Sequence, residues 1–535
     1  MKFAIKKRRV LGLWILLVVF LIGCGNNLNS SPTATVAPLQ SVENDFVKQG
    51  GDYLMQNDFD RAIAAYNQAL NADPQSILAY YGRGQAYAAK NDYERAAADF
   101  SSVLALDPTF TPAYLARASV YASLGKNEMA LNDYNHVIET QPENLIAILG
   151  RALVYDALQE YELSIADYDY SIKLAPGNAS IFYNRAGVYL KMGKIDQAIA
   201  DYTETIRLQP NSALPYYYRG RAYLQNKDDN SALADFSKAI EIEPRFAEAY
   251  QGRALINFSR QKYDESLEDL NRAIELAPQN PISYFYRGSI FASKNENQAA
   301  IEDFSRYILL SPQDSQAYFN RGVIYDRLGQ FERSIQDYSQ ALSLSPNSPA
   351  VFNNRGNAYF QLGEVEKALA DFSAALEIDP RYVLAYINRG RSYGALKQYE
   401  LSDADFAKAL ELEPENFNIY YTRGLVKYES GQLEAALADF GESIRLRPDV
   451  ALPFLARGLT YIRLEKYDLA LQDLTQAIEL DATLGQAYYY RGLVYGLKDQ
   501  RQEAIADLQT SLTLPLDPAL REQAEQMLVQ LGAQE

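Results

Sequence analysis

Arginine and aspartate recur along this chain at a spacing that suits one kind of chemistry, the planar pairing of a guanidinium fork with a carboxylate. The arginines run from Arg83 through Arg355 to Arg491, each 34 residues after the last, and an aspartate follows each one sixteen residues later, from Asp99 through Asp371 to Asp507. A charge that always travels with its opposite reads as an internal clamp, of which Arg355 with Asp371 is one instance, in preference to an anion-binding stripe. One period earlier both members are missing, with Gln49 and Ala65 in their places. Losing both together argues for pairing inside each repeat.

Two further sets of side chains are suited to recognition. Asn184, Asn320, Asn353, Asn354, Asn357 and Asn388 offer donors and acceptors that can hold an extended peptide backbone without reading its side chains. Tyr81, Tyr183, Tyr217, Tyr218, Phe285, Tyr286, Phe319, Tyr421, Tyr489 and Tyr490 offer rigid aromatic surface of the kind that concentrates binding energy. Catalytic and metal-binding types are scarce: the 535 residues include one Cys (Cys24), one His (His136) and one Trp. That composition excludes a disulfide framework and a Cys/His zinc site, and confines a serine triad to the single histidine. His136 reads as a surface residue with no nucleophile or metal partner near it. The expectation is therefore no enzyme, no metal, no cofactor and no small-molecule substrate. A formal charge of −17 argues against nucleic acid. A glycan-active enzyme using two carboxylates would need an insertion outside the repeat register, and none occurs. A passive spacer would need a polar inner wall in place of one lined with Tyr and Asn.

The elements that position these groups follow from the period. Twelve prolines, Pro74 to Pro448, stand 34 residues apart, and extending the frame divides residues 43–518 into fourteen units without insertion or deletion. The eighth position is Gly or Ala in all fourteen and the twentieth is Ala or Ser. Small residues at both places let two helices approach closely. Aromatics at the fourth, eleventh and twenty-fourth positions, such as Tyr80, Tyr87 and Phe100, form an apolar helix face and are expected in the core. Helix A should occupy about the first 14 residues of a unit and helix B residues 17 to 30. Asn91, Gly125, Gly193, Gly329, Gly363 and Gly431 fall between them and suit the left-handed residue that closes helix A. The proline then stops helix B. After the last unit, residues 519–535 carry Leu520, Ala524, Met527, Leu528 and Leu531 on one face and read as a capping helix.

This pattern resembles the tetratricopeptide repeat (TPR). The resemblance implies an all-α fold, a right-handed α-solenoid superhelix of fourteen helix-turn-helix repeats, whose concave groove is lined by the fifth, sixth, ninth, twelfth and thirteenth positions of helix A. The amides and aromatics named above fall there. The run of asparagines is similar to the asparagine ladder of O-GlcNAc transferase, whose catalytic domain has no counterpart here. The lysine and asparagine arrangement by which chaperone-binding members clamp a terminal carboxylate is absent.

The N-terminus carries an address. Lys2, Lys6, Lys7, Arg8 and Arg9 precede an apolar run, Val10 to Ile22, too short to span a bilayer, so residues 1–23 read as a signal peptide. Leu21-Ile22-Gly23-Cys24 resembles the lipobox of bacterial lipoproteins, which implies cleavage before Cys24 and its modification by diacylglyceryl and acyl chains such as palmitate. More than one chain is what stable anchoring takes. Residues 24–42, rich in Asn, Ser, Thr and Pro, read as a flexible tether. The expected protein is a scaffold in the cell envelope, lipid-anchored on the extracytoplasmic side of the plasma or outer membrane, whose groove binds extended segments of envelope proteins.

Overall fold

The computed structural model describes residues 38–532. The signal segment, Cys24 and the tether up to residue 37 lie outside the described residues. The last five residues assigned to the tether are helical, since the first helix is Pro38–Met55. Every element among the described residues is a helix, and the chain is an all-α repeat solenoid that divides after Leu276 into two compact bodies. The first holds seven helix pairs, from Pro38–Met55 with Phe59–Ala72 to Ala247–Ser259 with Tyr263–Leu276. The second holds seven more, from Pro281–Ser293 with Asn297–Leu310 to Gly485–Leu497 with Arg501–Thr513, followed by Pro518–Gln530 as the closing helix.

The elements begin and end where local chemistry requires. Helix A is commonly capped by the last residue of the preceding unit: Ser76, Asn144, Asn178, Asn280, Asp314 and Asn416 each accept from a backbone N–H of the first turn. In all fourteen units the residue two past helix A has positive φ, between 57° and 83°. Five are glycine; the other nine include Gln159, Lys227, Lys397 and Glu465. Helix B fills positions 17 to 30 as expected, and the proline follows two residues later.

Packing inside a pair explains the small residues. The twenty-fourth side chain lies across the eighth position of helix A; a Cβ built on Gly322 would stand 2.7 Å from Tyr338 Cε1, and one on Gly424 2.6 Å from Phe440 Cε1. No real Cβ tolerates that approach, so glycine is what lets these rings sit between the helices. Phe236, Phe372, Phe406 and Phe440 are fully buried in this way. Serine at the twentieth position adds a bond between the helices: Ser164, Ser266 and Ser402 donate to the carbonyls of Ala152, Ala254 and Gly390 at 2.7–2.9 Å.

The fourth and eleventh positions are core, but some of their rings also serve the arginines. Ile148, Tyr284 and Tyr121 are buried, while Tyr80 and Tyr87 are half-buried, packed against the core and beside guanidinium groups as well. Arg83 lies 5.5 Å from the Tyr80 ring centroid, and Arg355 lies 5.6 Å from Phe352 and 6.0 Å from Tyr359. Tyrosine at the fourth position also holds the loop before it: Tyr284, Tyr386 and Tyr420 donate to the carbonyls of Pro278, Pro380 and Pro414 at 3.1–3.3 Å.

Candidate functional site: the wall of A helices

The thirteen expected clamps form. Arg355 donates through Nε to Asp371 Oδ2 and through Nη2 to Asp371 Oδ1, both at 2.8 Å, and the other twelve pairs repeat this two-pronged geometry. The bond to Asp371 holds Arg355 above the usual guanidinium range, against the opposing effect of burial. The third nitrogen does something the sequence reading missed. Arg355 Nη1 donates to Ser339 Oγ of the preceding unit's helix B at 3.0 Å, and Arg83, Arg117, Arg151 and Arg219 reach Asn67, Ser101, Asn135 and Thr203 likewise. The signal was a polar side chain at the twenty-fifth position. Arg423 and Arg457 face Ala407 and Gly441 there, which offer no side-chain acceptor. The arginines thus tie three helices together and are spoken for structurally.

In the second body every A helix touches the next, while no two successive B helices approach to a comparable extent. The A helices form the inner, shorter wall of that body. Its aromatic residues at the fifth position are turned partly into the helix pair: Phe285 packs against Phe304 and Tyr307, Phe319 against Tyr338, and Tyr421 against Phe440, with centroids 5.2–6.2 Å apart. Burial pushes the Tyr421 phenol up. Tyr286 stands edge-on to Phe285 and stays half-buried. Tyr489 departs from the expectation. It is only 4% exposed and donates to Gln523 Oε1 of the closing helix at 2.8 Å, which takes it off the accessible wall, while Tyr490 beside it stays half-buried.

The first body concentrates its aromatics. Tyr183, Tyr202 and Tyr218 lie within 6.1 Å of one another, Tyr217 is edge-on to Tyr218 at 5.2 Å, and Arg221 stands 5.7–5.8 Å from both Tyr217 and Tyr218. Burial, then the neighbouring phenols Tyr218 and Tyr202, push Tyr183 up. Tyr81 packs edge-on to Phe110 at 5.3 Å and burial pushes its phenol up to about 12. Asn184 is half-buried beside Tyr183.

The asparagine run is only partly free to serve a ligand. Asn353 is 5% exposed; it accepts from Asn388 Nδ2 at 2.9 Å and donates to Asn354 Oδ1 at 3.3 Å. Those three amides bind one another across two A helices. Asn320 Oδ1 accepts from Gln316 Nε2 at 2.8 Å, and Asn357 Oδ1 accepts from Arg391 Nη2 at 3.0 Å. Asn320, Asn354, Asn357 and Asn388 remain half-buried on the wall; Asn353 does not. Beside them Tyr338 donates to Asp326 Oδ2 at 2.6 Å, and burial raises the Asp326 carboxyl.

His136 is half-buried, its ring 4.2 Å from that of Tyr114, so it packs instead of standing free on the surface. Among the described residues no group of three or more His, Cys, Asp or Glu side chains is arranged to hold a metal ion. No helix among them is long and apolar enough to cross a membrane.

Comparison with known proteins agrees with this architecture. Models of the tetratricopeptide repeat match residues 47–109 and 115–179, residues 213–246, and residues 383–416, 417–450 and 454–484. A further model, described as the TPR repeat, matches residues 188–227, 254–292, 324–363 and 356–397. No curated protein matches the chain. Similar solved structures include the Cut9 and Hcn1 hetero-tetramer of the APC/C, at 17% identity over 92% of this chain and 97% of that one, with a TM-score of 0.39. Yeast Tom70 is 18% identical over 86% of this chain and 96% of its own, with a TM-score of 0.41. A tetratricopeptide repeat protein from Parabacteroides merdae is 21% identical over 46% of this chain and 98% of that one, also at 0.41. With repeat models matching most of the stretch between residues 47 and 484, this chain belongs to the tetratricopeptide repeat proteins.

Proposed function

We propose that this protein is an interaction scaffold, held on the extracytoplasmic side of a membrane by lipid on Cys24, whose A-helix wall receives extended segments of envelope proteins. Tetratricopeptide repeats bind protein partners, which supports the general role. The observation that carries the placement of the site is the division of labour along helix A. The seventh-position arginines are consumed by their aspartates, while half-buried amides and aromatic rings stand on the same helices toward the inner wall. The lipid anchor rests on the run from Leu21 to Cys24 and the basic, apolar segment before it. The repeats themselves supply no constellation of nucleophile, base and oxyanion donor, which favours binding over catalysis.

A photo-activated cross-linking residue placed at Gln361, exposed at the thirteenth position of a helix A, and separately at Glu377, exposed on the partner helix B, tests the wall. Irradiation in native membranes should yield a discrete adduct from Gln361 and none from Glu377. The same adducts from both sites would refute the proposal. Cys24→Ser should release the chain from the membrane fraction; retention would remove the lipid anchor.

A further inference from the structure

On this chain an arginine that leaves water normally takes a carboxylate with it, as the thirteen clamps do. Half-buried Arg221, Arg306, Arg391 and Arg521 have no such partner, and among them Arg391 alone has a nitrogen enclosed without an acceptor. It stands at the ninth position of Val383–Ala395, on the inner wall of the second body. Its guanidinium carbon is 4.2 Å from the centroid of the Phe360 ring, closer than any clamp arginine stands to its aromatic neighbours. Nη2 donates to Asn357 Oδ1 at 3.0 Å, while Nε is buried with no acceptor. No ion pair is made by Arg391. Burial holds its pKa below the usual guanidinium value, and Glu429, exposed on the next helix A, opposes that only in part.

A half-buried guanidinium with an enclosed Nε and no carboxylate is an unfavourable arrangement that a fold retains at a cost. Here the group is also preorganised: stacked on one face by Phe360, with Nε enclosed and Nη2 bonded to Asn357, it keeps Nη1 and the second N–H of Nη2 for a ligand. Beside it the Asn353–Asn354–Asn388 network locks the neighbouring amides. A planar fork with one open edge among amides matches a carboxylate carried on a peptide backbone.

We propose that Arg391 is the carboxylate-reading residue of the wall, receiving an Asp or Glu side chain, or a terminal carboxylate, of the bound segment. The inference rests on the peptide-binding reading above. Since the chain carries −17 overall, its long-range field disfavours acidic ligands, so any preference for them must arise locally.

The test uses the full-length chain, fluorescently labelled, on a cellulose array of twelve-residue peptides in a Ser, Asn and Leu background. One central position is varied among Glu, Gln, Asp and Asn, and a second set presents free or amidated C-termini. Wild type should retain about tenfold more on one acidic member than on its amide isostere, the gain of one charge-assisted bidentate contact. Arg391→Gln should level that ratio while keeping capture of the amide peptides, and Arg391→Lys should keep part of it. Which set shows the preference identifies side chain or terminus. Hydrogen exchange in Val383–Ala395 should be no faster in Arg391→Gln than in wild type, because a half-buried unpaired charge has been removed. A ratio near one in wild type, a ratio that survives Arg391→Gln, or much faster exchange in that helix overturns the assignment and leaves the scaffold reading standing. Capture of no peptide at all overturns both.

Discussion

Arg355 and Asp371 provide the sharpest test of how the array is held together. Their side chains are 19% and 8% exposed, so the pair lies between a surface ion pair and a fully desolvated one. Asp371→Ala leaves Arg355 mostly out of water with only Ser339 to bond, which should cost about 3 kcal/mol. Arg355→Ala leaves the better-buried carboxylate alone and removes the stem packed between Phe352 and Tyr359, for about 4 kcal/mol. The double variant no longer strands a charge, so it should lose about 4 kcal/mol and not the sum. The coupling energy is then on the order of 2–3 kcal/mol. A repeat array opens locally, so a global urea midpoint is the wrong readout. Hydrogen exchange in Pro349–Gln361 and Val365–Ile378 measures the relevant opening, with Thr111–Ser123 as a remote control. A coupling energy within about 0.5 kcal/mol of zero would refute the clamp, since double-mutant cycles resolve no less.

Three further predictions follow from the same geometry. Gly441→Ser should place a hydroxyl where Arg457 Nη1 lies 3.8 Å from a built Cβ, adding the missing cross-unit bond and removing a mid-helix glycine, for a gain of about 1 kcal/mol by hydrogen exchange in Leu433–Leu446. Lys397→Gly relieves a non-glycine residue held at φ 60° and should stabilise the surrounding pair by about 0.5–1 kcal/mol; an equal loss would show that chain entropy outweighs strain. Burial pushes the Tyr66 and Tyr81 phenols up to about 12 from an unfolded value near 10. Their folded pKa is raised, so their stabilising contribution is whole below pH 10 and fades as pH climbs toward 12. Alkaline titration followed by phenolate absorbance should therefore show late ionisation coinciding with loss of helical circular dichroism, whereas early ionisation with helicity intact would contradict the burial.

Much of this fold could be read before any coordinates. A strict period places helix boundaries well, because small residues, glycines and prolines recur at fixed offsets; inside the array the helices fall within a residue of the expected limits, while the first begins five residues early, at Pro38. The clamp was legible for the same reason, with two charges absent together from one unit. Side-chain direction was harder. Spacing puts Tyr80 and Tyr87 on one apolar face, and they do pack against the core, but it does not show that each ring also lies under a guanidinium. Position in the repeat points Asn353 and Tyr489 inward, yet what they meet depends on the neighbouring helix: Asn388 for one, Gln523 for the other. A partner drawn from the next unit is invisible to a single repeat considered alone.

The bond that most clamp arginines make back to the preceding helix B gives the array a direction along the chain. Each such arginine joins a side chain that precedes it in the chain to one that follows it, as Arg355 joins Ser339, sixteen residues before it, to Asp371, sixteen residues after. An array cut after a helix A would leave one guanidinium without its carboxylate, whereas an array cut after a helix B would leave none. At Ala407 and Gly441 the backward arm has no acceptor, so the twelfth and thirteenth hairpins are joined to their predecessors without it.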